Sequence, residues 1–187
     1  MNYKQLLTQI STFIFDVDGV LTDGSILLMP SGEQVRNMNT KDGLAIRKAI
    51  SLGYRVAIIS GGKSEGLKKR LEYLGIVDAY LGCLDKKDAL NDLIAIYDLD
   101  VDNVLYMGDD LNDLEIMKEV ALPTCPQDGA SEVKAISEAI NMDPVIISEG
   151  EVLDLLAFLG TLTDTKAQKG RLGIPKSVPS RLKIPNP

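Results

Sequence analysis

Short apolar runs alternate with helical patterns along this chain, and each run closes on a polar motif. Thr12-Phe13-Ile14-Phe15 ends in Asp16-Val17-Asp18, and Val56-Ala57-Ile58-Ile59 ends in Ser60-Gly61-Gly62. A weaker run, Ala79–Leu81, precedes Asp85-Lys86, and Val104-Leu105-Tyr106-Met107 ends in Gly108-Asp109-Asp110. Strands that are apolar on every residue must be covered on both faces, which implies a parallel sheet between two helical layers. Right-handed crossovers make it a three-layer, doubly wound α/β sheet of Rossmann-like form. Ligands of such sheets bind outside the carboxyl ends of the strands. Four separate segments therefore converge on one edge.

Between these runs the spacing predicts helices over Asp42–Leu52, Ser64–Leu74, Lys86–Tyr97, Leu111–Val120 and Ala130–Ala139. The first is expected to bury Leu44, Ile46, Ala49 and Ile50, and the second Leu67, Leu71 and Leu74. Ala121–Thr124 is a further expected strand. Ile26–Met29 and Glu33–Met38 flank Pro30-Ser31-Gly32, a turn signal, and predict a β-hairpin. One domain is expected over residues 1–160. From 161 to 187 the chain turns basic and Pro-rich, and Thr165–Pro187 offers no periodic apolar face, so a disordered tail is expected there.

Composition narrows the chemistry. The 187 residues contain no His, which excludes a His base, nucleophile or metal ligand. Net charge is −7 without clustered Lys or Arg, which disfavours nucleic acid and anionic membranes as partners. Cys83 and Cys125 lack metal spacing and are expected to be buried thiols in a reducing compartment. The first residues do not resemble a signal peptide, and no run approaches the ~20 residues of a membrane span. The expected location is the cytoplasm.

Two carboxylates as close as Asp16 and Asp18 repel unless a cation or a reaction uses them. A hard cation such as Mg²⁺ takes one or two carboxylates alongside phosphate oxygens. An Asp is ionised at neutral pH without assistance, so one of the pair can attack phosphorus. The other can protonate the leaving oxygen. Ser60 and the free N–H groups of Gly61 and Gly62 suit phosphate oxygens. Lys86 can neutralise a transferred phosphoryl group, although Lys87 stands beside it. Asp109, at a strand end, is the third candidate metal ligand. Asp110 and Asp113 are accounted for as acids at a helix start.

The order Asp-x-Asp-x-x-x-Thr, Ser, Lys, Gly-Asp-Asp-x-x-Asp resembles the haloacid dehalogenase superfamily of phosphohydrolases. Phe15–Gly24, Asn39–Gly43 and Gly108–Asp113 resemble in particular the 3-deoxy-D-manno-octulosonate 8-phosphate phosphatase family, over about Thr12 to Ile140. The resemblance implies that Asp16 is the nucleophile and that Asp18 is the general acid/base and lends its carbonyl to Mg²⁺. It implies that Asp109 completes the metal site and that Ser60 and Lys86 hold the phosphoryl group. Asn39, Thr40, Lys41, Asp42, Gly43, Arg47, Gly61, Gly62 and Arg70 fall at substrate-contacting positions. It further implies a homotetramer joined through the Ile26–Met38 hairpin. Spacing agrees with a capless member: 43 residues separate Asp16 from Ser60 and 25 separate Ser60 from Lys86, too few for a cap domain.

Two features depart from the family pattern. Gly62 stands where the family carries Arg, with Lys63 the next cation along. No Gly-rich segment with an Arg follows Ile140. Three other readings compete with the octulosonate phosphatase. One is a nonulosonate 9-phosphate phosphatase; another is a non-catalytic oligomerisation module like those fused to sugar-nucleotide transferases. The third, a signalling receiver domain, is disfavoured because its phosphoacceptor follows the third strand rather than the first.

Overall fold

A computed structural model describes residues 3–137. Its frame is a five-stranded parallel sheet: β1 (Thr12–Phe15), β4 (Arg55–Ser60), β5 (Asp78–Leu81), β6 (Val104–Met107) and β7 (Leu122–Thr124), in the order β5-β4-β1-β6-β7. β1 lies at the centre, with Phe13 opposite Val56 on one side and Leu105 on the other. The hairpin is β2 (Ile26–Leu28) and β3 (Gln34–Arg36), a separate antiparallel pair.

Side-chain alternation along the strands divides the core into two layers. Phe13, Phe15, Val56, Ile58, Leu105 and Met107 face α1 (Tyr3–Leu7), α2 (Thr40–Ser51) and α3 (Glu65–Leu74), where Leu7, Ile46, Leu67 and Leu71 meet them. Ile14, Ala57, Ile59, Val104 and Tyr106 face α4 (Lys86–Tyr97), α5 (Leu114–Met117) and α6 (Ser131–Ile136), through Leu90, Leu93, Ile116, Met117 and Val133. Truncating a fully buried leucine such as Leu93 in such a layer costs about 2–5 kcal/mol.

The helices start where their caps dictate. Asn39 Oδ1 accepts from the N–H of Lys41 at 2.9 Å, Ser64 Oγ from that of Leu67 at 3.2 Å, and Asp85 Oδ1 from that of Lys87 at 2.8 Å. Chain order reverses at β1, whose neighbours β4 and β6 are reached by helices on opposite faces. That switch point opens the crevice at the carboxyl ends. The hairpin leaves the chain just after β1, and among the described residues no cap domain lies over the crevice.

Several expectations needed correction in detail. Leu44 is 73% exposed rather than buried, because α2 turns Asp42, Gly43, Ile46 and Ala49 inward. The expected Leu111–Val120 helix is a 3-10 turn, Leu111–Asp113, followed by the single turn of α5. α1 was not expected from the sequence. Cys125 is buried but Cys83 is part-exposed, and both are free thiols. The expected tail and the segment after Ile140 lie outside the described residues. Among the described residues no helix is long and apolar enough to cross a membrane.

Candidate active site

The loop after β1 is tied into one shape by its own backbone. The N–H groups of Val20, Leu21 and Thr22 all donate to the Val17 carbonyl, at 3.3, 2.9 and 3.1 Å. Thr22 Oγ1 donates to that same carbonyl at 3.2 Å and accepts from the N–H groups of Gly19 and Gly24. Gly19 has φ of 91°, and a Cβ there would run into the Asp109 carboxylate. Only glycine therefore lets this turn reach the strand β6 edge. Val17, Val20 and Leu21 are buried and anchor the loop from beneath.

Asp16 continues β1, its N–H donating to the Met107 carbonyl at 3.0 Å. Its carboxylate is 3.1 Å from Lys86 Nζ, with both side chains almost fully covered. Lys86 Nζ also meets Asp113 Oδ1 at 2.6 Å. Lys87, by contrast, pairs with Glu119 at 2.7 Å on the open surface. Of the two adjacent lysines, only Lys86 turns into the crevice.

Asp113 is the site residue that sequence reasoning set aside as a helix-start acid. It is fully buried, and its oxygens accept from Lys86 Nζ, the Tyr106 hydroxyl and the N–H groups of Asp109 and Asp110. It thus orients the lysine and fixes the turn that carries Asp109. Its signal in the sequence was its place four residues after Asp109, with a tyrosine inside the preceding apolar run.

Asp16, Asp109 and Asp113 bring carboxylate oxygens within 4.8 Å of one another. They do not offer equal opportunities to a cation. Asp113 has its oxygens engaged, whereas Asp16 Oδ1 and Asp109 Oδ1 are buried with no hydrogen-bond partner among the described residues. A buried carboxylate oxygen without a donor is costly, and a cation relieves it. Among the described residues three acids crowd round one lysine here. Burial pushes the Asp109 carboxyl up to about 7, with the charges of Asp16 and Asp113 adding to it. Burial raises Asp16 too, although Lys86 pulls the other way. Burial alone would lower Lys86, but Asp16 and Asp113 reverse this and raise it above the usual lysine value. The donor set fits a hard divalent ion between Asp16 and Asp109.

Ser60 closes β4, 1% exposed, and its Oγ accepts from the Gly62 N–H at 3.1 Å. The Asp18 carboxylate faces Gly62 and is held by Arg36 of the hairpin, Nε to Oδ1 at 2.6 Å and Nη2 to Oδ2 at 2.9 Å. Arg36 was not singled out from the sequence. Lys63 packs against Gly82 and lines a groove between α3 and β5.

The remaining predicted contacts form a second group on α2 and α3. Asn39, Thr40 and Lys41 are exposed at the start of α2, and Asp42 and Gly43 are buried behind them. Arg47 and Arg70 both stand 5.7 Å from the ring of Tyr73, and the Arg70 guanidinium rests on Gly43. Gly61 is exposed at the mouth of the crevice.

Comparison with known proteins agrees with this geometry. The model of the haloacid dehalogenase-like hydrolases matches residues 82–143. The chain is 37% identical over 163 residues to the 3-deoxy-D-manno-octulosonate 8-phosphate phosphatase of Salmonella typhi, covering 85% of this chain and 86% of that one. Its fold matches the crystal structure of the Yersinia pestis phosphatase of the same name with TM-score 0.73 and 32% identity, over 86% and 88% of the two chains. It matches the Moraxella catarrhalis phosphatase, solved with magnesium, phosphate and KDO, with TM-score 0.72 and 27% identity, over 88% and 94%. A parallel sheet ending in paired aspartates, a buried lysine and a relative this similar along most of the chain lead to one assignment: the protein is a phosphoric monoester hydrolase of the haloacid dehalogenase superfamily and belongs to the 3-deoxy-D-manno-octulosonate 8-phosphate phosphatase family.

Proposed function

We propose that this chain is a Mg²⁺-dependent phosphatase of 3-deoxy-D-manno-octulosonate 8-phosphate working through a phospho-aspartyl intermediate. The observation that carries this reading is the pair of buried, partnerless carboxylate oxygens on Asp16 and Asp109. Asp16, Asp109 and the Asp18 carbonyl would hold the magnesium ion, which lowers the repulsion between an anionic phosphoryl group and the acids.

Asp16 supplies a carboxylate oxygen that attacks phosphorus; its P–O bond forms as the P–O bond to the sugar breaks. Asp18 gives the departing sugar oxygen a proton. The now ionised Asp18 then takes a proton from water, whose oxygen attacks the same phosphorus and releases Asp16 and inorganic phosphate. Lys86 neutralises the charge that builds on the phosphoryl oxygens, with the Ser60 hydroxyl and the Gly61 N–H as further donors, while the Gly62 N–H, expected to be free, is taken up by Ser60 Oγ. Asn39, Thr40, Lys41, Asp42, Gly43, Arg47 and Arg70 are assigned to the sugar acid. Two arginines over one tyrosine ring supply cations suited to its carboxylate.

The same reading includes a homotetramer through the Ile26–Met38 hairpin. Its support is the exposure of Ile26, Leu27, Leu28, Met29 and Val35, an apolar strip that a lone flap would leave in water. It also includes a cytoplasmic location, supported by the free thiols.

Phosphate release with Mg²⁺ and with EDTA tests the function on three substrates: the octulosonate 8-phosphate, a nonulosonate 9-phosphate and p-nitrophenyl phosphate. Mg²⁺-dependent preference for the octulosonate is expected. Preference for the nonulosonate would move the substrate assignment and keep the mechanism. No Mg²⁺-dependent release from any of them would overturn the reading in favour of an oligomerisation module.

A further inference from the structure

Arg36 closes β3, in a hairpin otherwise exposed, yet its side chain is only 4% exposed. It spends its guanidinium on Asp18 in a two-pronged pair, at 2.6 and 2.9 Å. A planar fork on a carboxylate fixes orientation as well as charge, which a single ammonium contact does not. The pair is possible because of what stands opposite. A Cβ built on Gly62 would sit 2.7 Å from Arg36 Nη2 and 2.8 Å from Asp18 Oδ2. Even alanine at position 62 would press on both partners. The neighbouring cation, Lys63, runs along Gly82 instead and leaves Asp18 to Arg36.

We propose that Arg36 is the positioning residue for Asp18, and that Gly62 is bare in order to admit it. The hairpin thereby sets the aim of the acid/base from outside the sheet. This rests on the acid/base role assigned to Asp18 above. Arg36 acts through Asp18, holding its carboxylate beside the Ser60-Gly61-Gly62 turn. With substrate bound, one prong of the pair opens, and the freed oxygen takes a proton from the ester's phosphate monoanion and passes it to the leaving oxygen. A merely structural ion pair would change stability and leave the demand for that proton untouched.

The test therefore varies the leaving group. A sugar alkoxide needs a proton as it departs, whereas nitrophenolate does not. Arg36→Met, Arg36→Lys, Arg36→Gln and Asp18→Asn are compared with the unaltered chain in Mg²⁺. Two quantities are read: kcat and KM on the octulosonate 8-phosphate, and the first-turnover burst of nitrophenol from p-nitrophenyl phosphate. Arg36→Met should lower kcat on the sugar phosphate roughly tenfold or more, with KM within about threefold and the burst rate nearly kept. Arg36→Lys should recover part of the loss. Arg36→Gln, which keeps one donor toward Asp18, should give the same signature in weaker form if Arg36→Met folds poorly. Equal loss on both substrates, loss in KM alone, or no loss would overturn the proposal. Asp18→Asn separates its failure from that of the underlying reading. If that variant loses the burst as fully as sugar-phosphate turnover, Asp18 is not the acid and the assignment beneath the proposal falls.

Discussion

The sheet carries a charged cluster at each end, and the two are built differently. At the amino end, Arg55 Nη1 meets Asp78 Oδ2 at 3.0 Å, and the Tyr97 hydroxyl donates to Asp78 Oδ1 at 2.7 Å. The Arg55 guanidinium lies 3.3 Å over the Tyr97 ring. Each acid oxygen there has a donor and the charges cancel. At the carboxyl end, Asp16 and Asp113 share Lys86, Asp109 stands beside them, and two buried oxygens have no donor among the described residues. A satisfied cluster ties elements together. One left in deficit keeps a demand that its own residues do not meet, and a cation can. The asymmetry between the ends, rather than the number of charges, separates scaffold from site.

The sharpest way to break this contrast is to remove one acid at each end. Asp16→Asn should lower phosphate release by more than roughly a thousandfold. In EDTA it should leave the melting temperature unchanged or higher, since it removes an under-partnered buried charge. Appreciable residual turnover would sink the nucleophile assignment. Asp78→Ala should do the reverse: a stability loss of about 1–3 kcal/mol in chemical denaturation, with kcat kept. A kcat loss there would erase the distinction between the ends.

The smallest expected effect concerns Asp42, a buried acid outside both clusters, which burial pushes up to about 7 from 3.8. A raised carboxyl binds its proton more tightly in the folded state. The stabilisation it offers is therefore complete below about 4 and lost as pH rises through about 7. Asp42→Asn lacks that loss. Its melting temperature should exceed that of the unaltered chain at pH 8, and the gap should close by pH 4. A gap independent of pH would mean Asp42 is compensated in the fold.

The sequence carried the sheet and most of the crevice because both follow from local patterns. Runs such as Val56–Ile59 are apolar on every residue, and a polar residue after each must lie at an edge. What it hid depends on contacts between distant segments. Asp113 looked like an ordinary helix-start acid, since nothing local says that Lys86 reaches it from 27 positions away. The expected Leu111–Val120 helix opens as a 3-10 turn in which Asp110 and Asp113 cap each other's backbone N–H groups. Arg36 was hidden for the same reason, in a hairpin legible only as a flap. Gly62 was visible as a departure, but its meaning required the Arg36–Asp18 pair that fills the space. Leu44 shows the opposite failure: its spacing fitted the apolar face of α2, yet the helix turned a buried acid and a glycine inward instead.

The strand order has a consequence for how the protein comes into being. β1 is made first but sits between β4 and β6, so its ladders close only when chain far downstream arrives. Asp16 and Asp109 lie 93 positions apart. A nascent or truncated chain ending before β6 holds Asp16 without Asp109. Such a topology, rich in distant pairings, folds slowly compared with a helical bundle. A cation bound between those two residues would stabilise only the completed sheet. Metal uptake during refolding would then mark the moment the last central strand is placed.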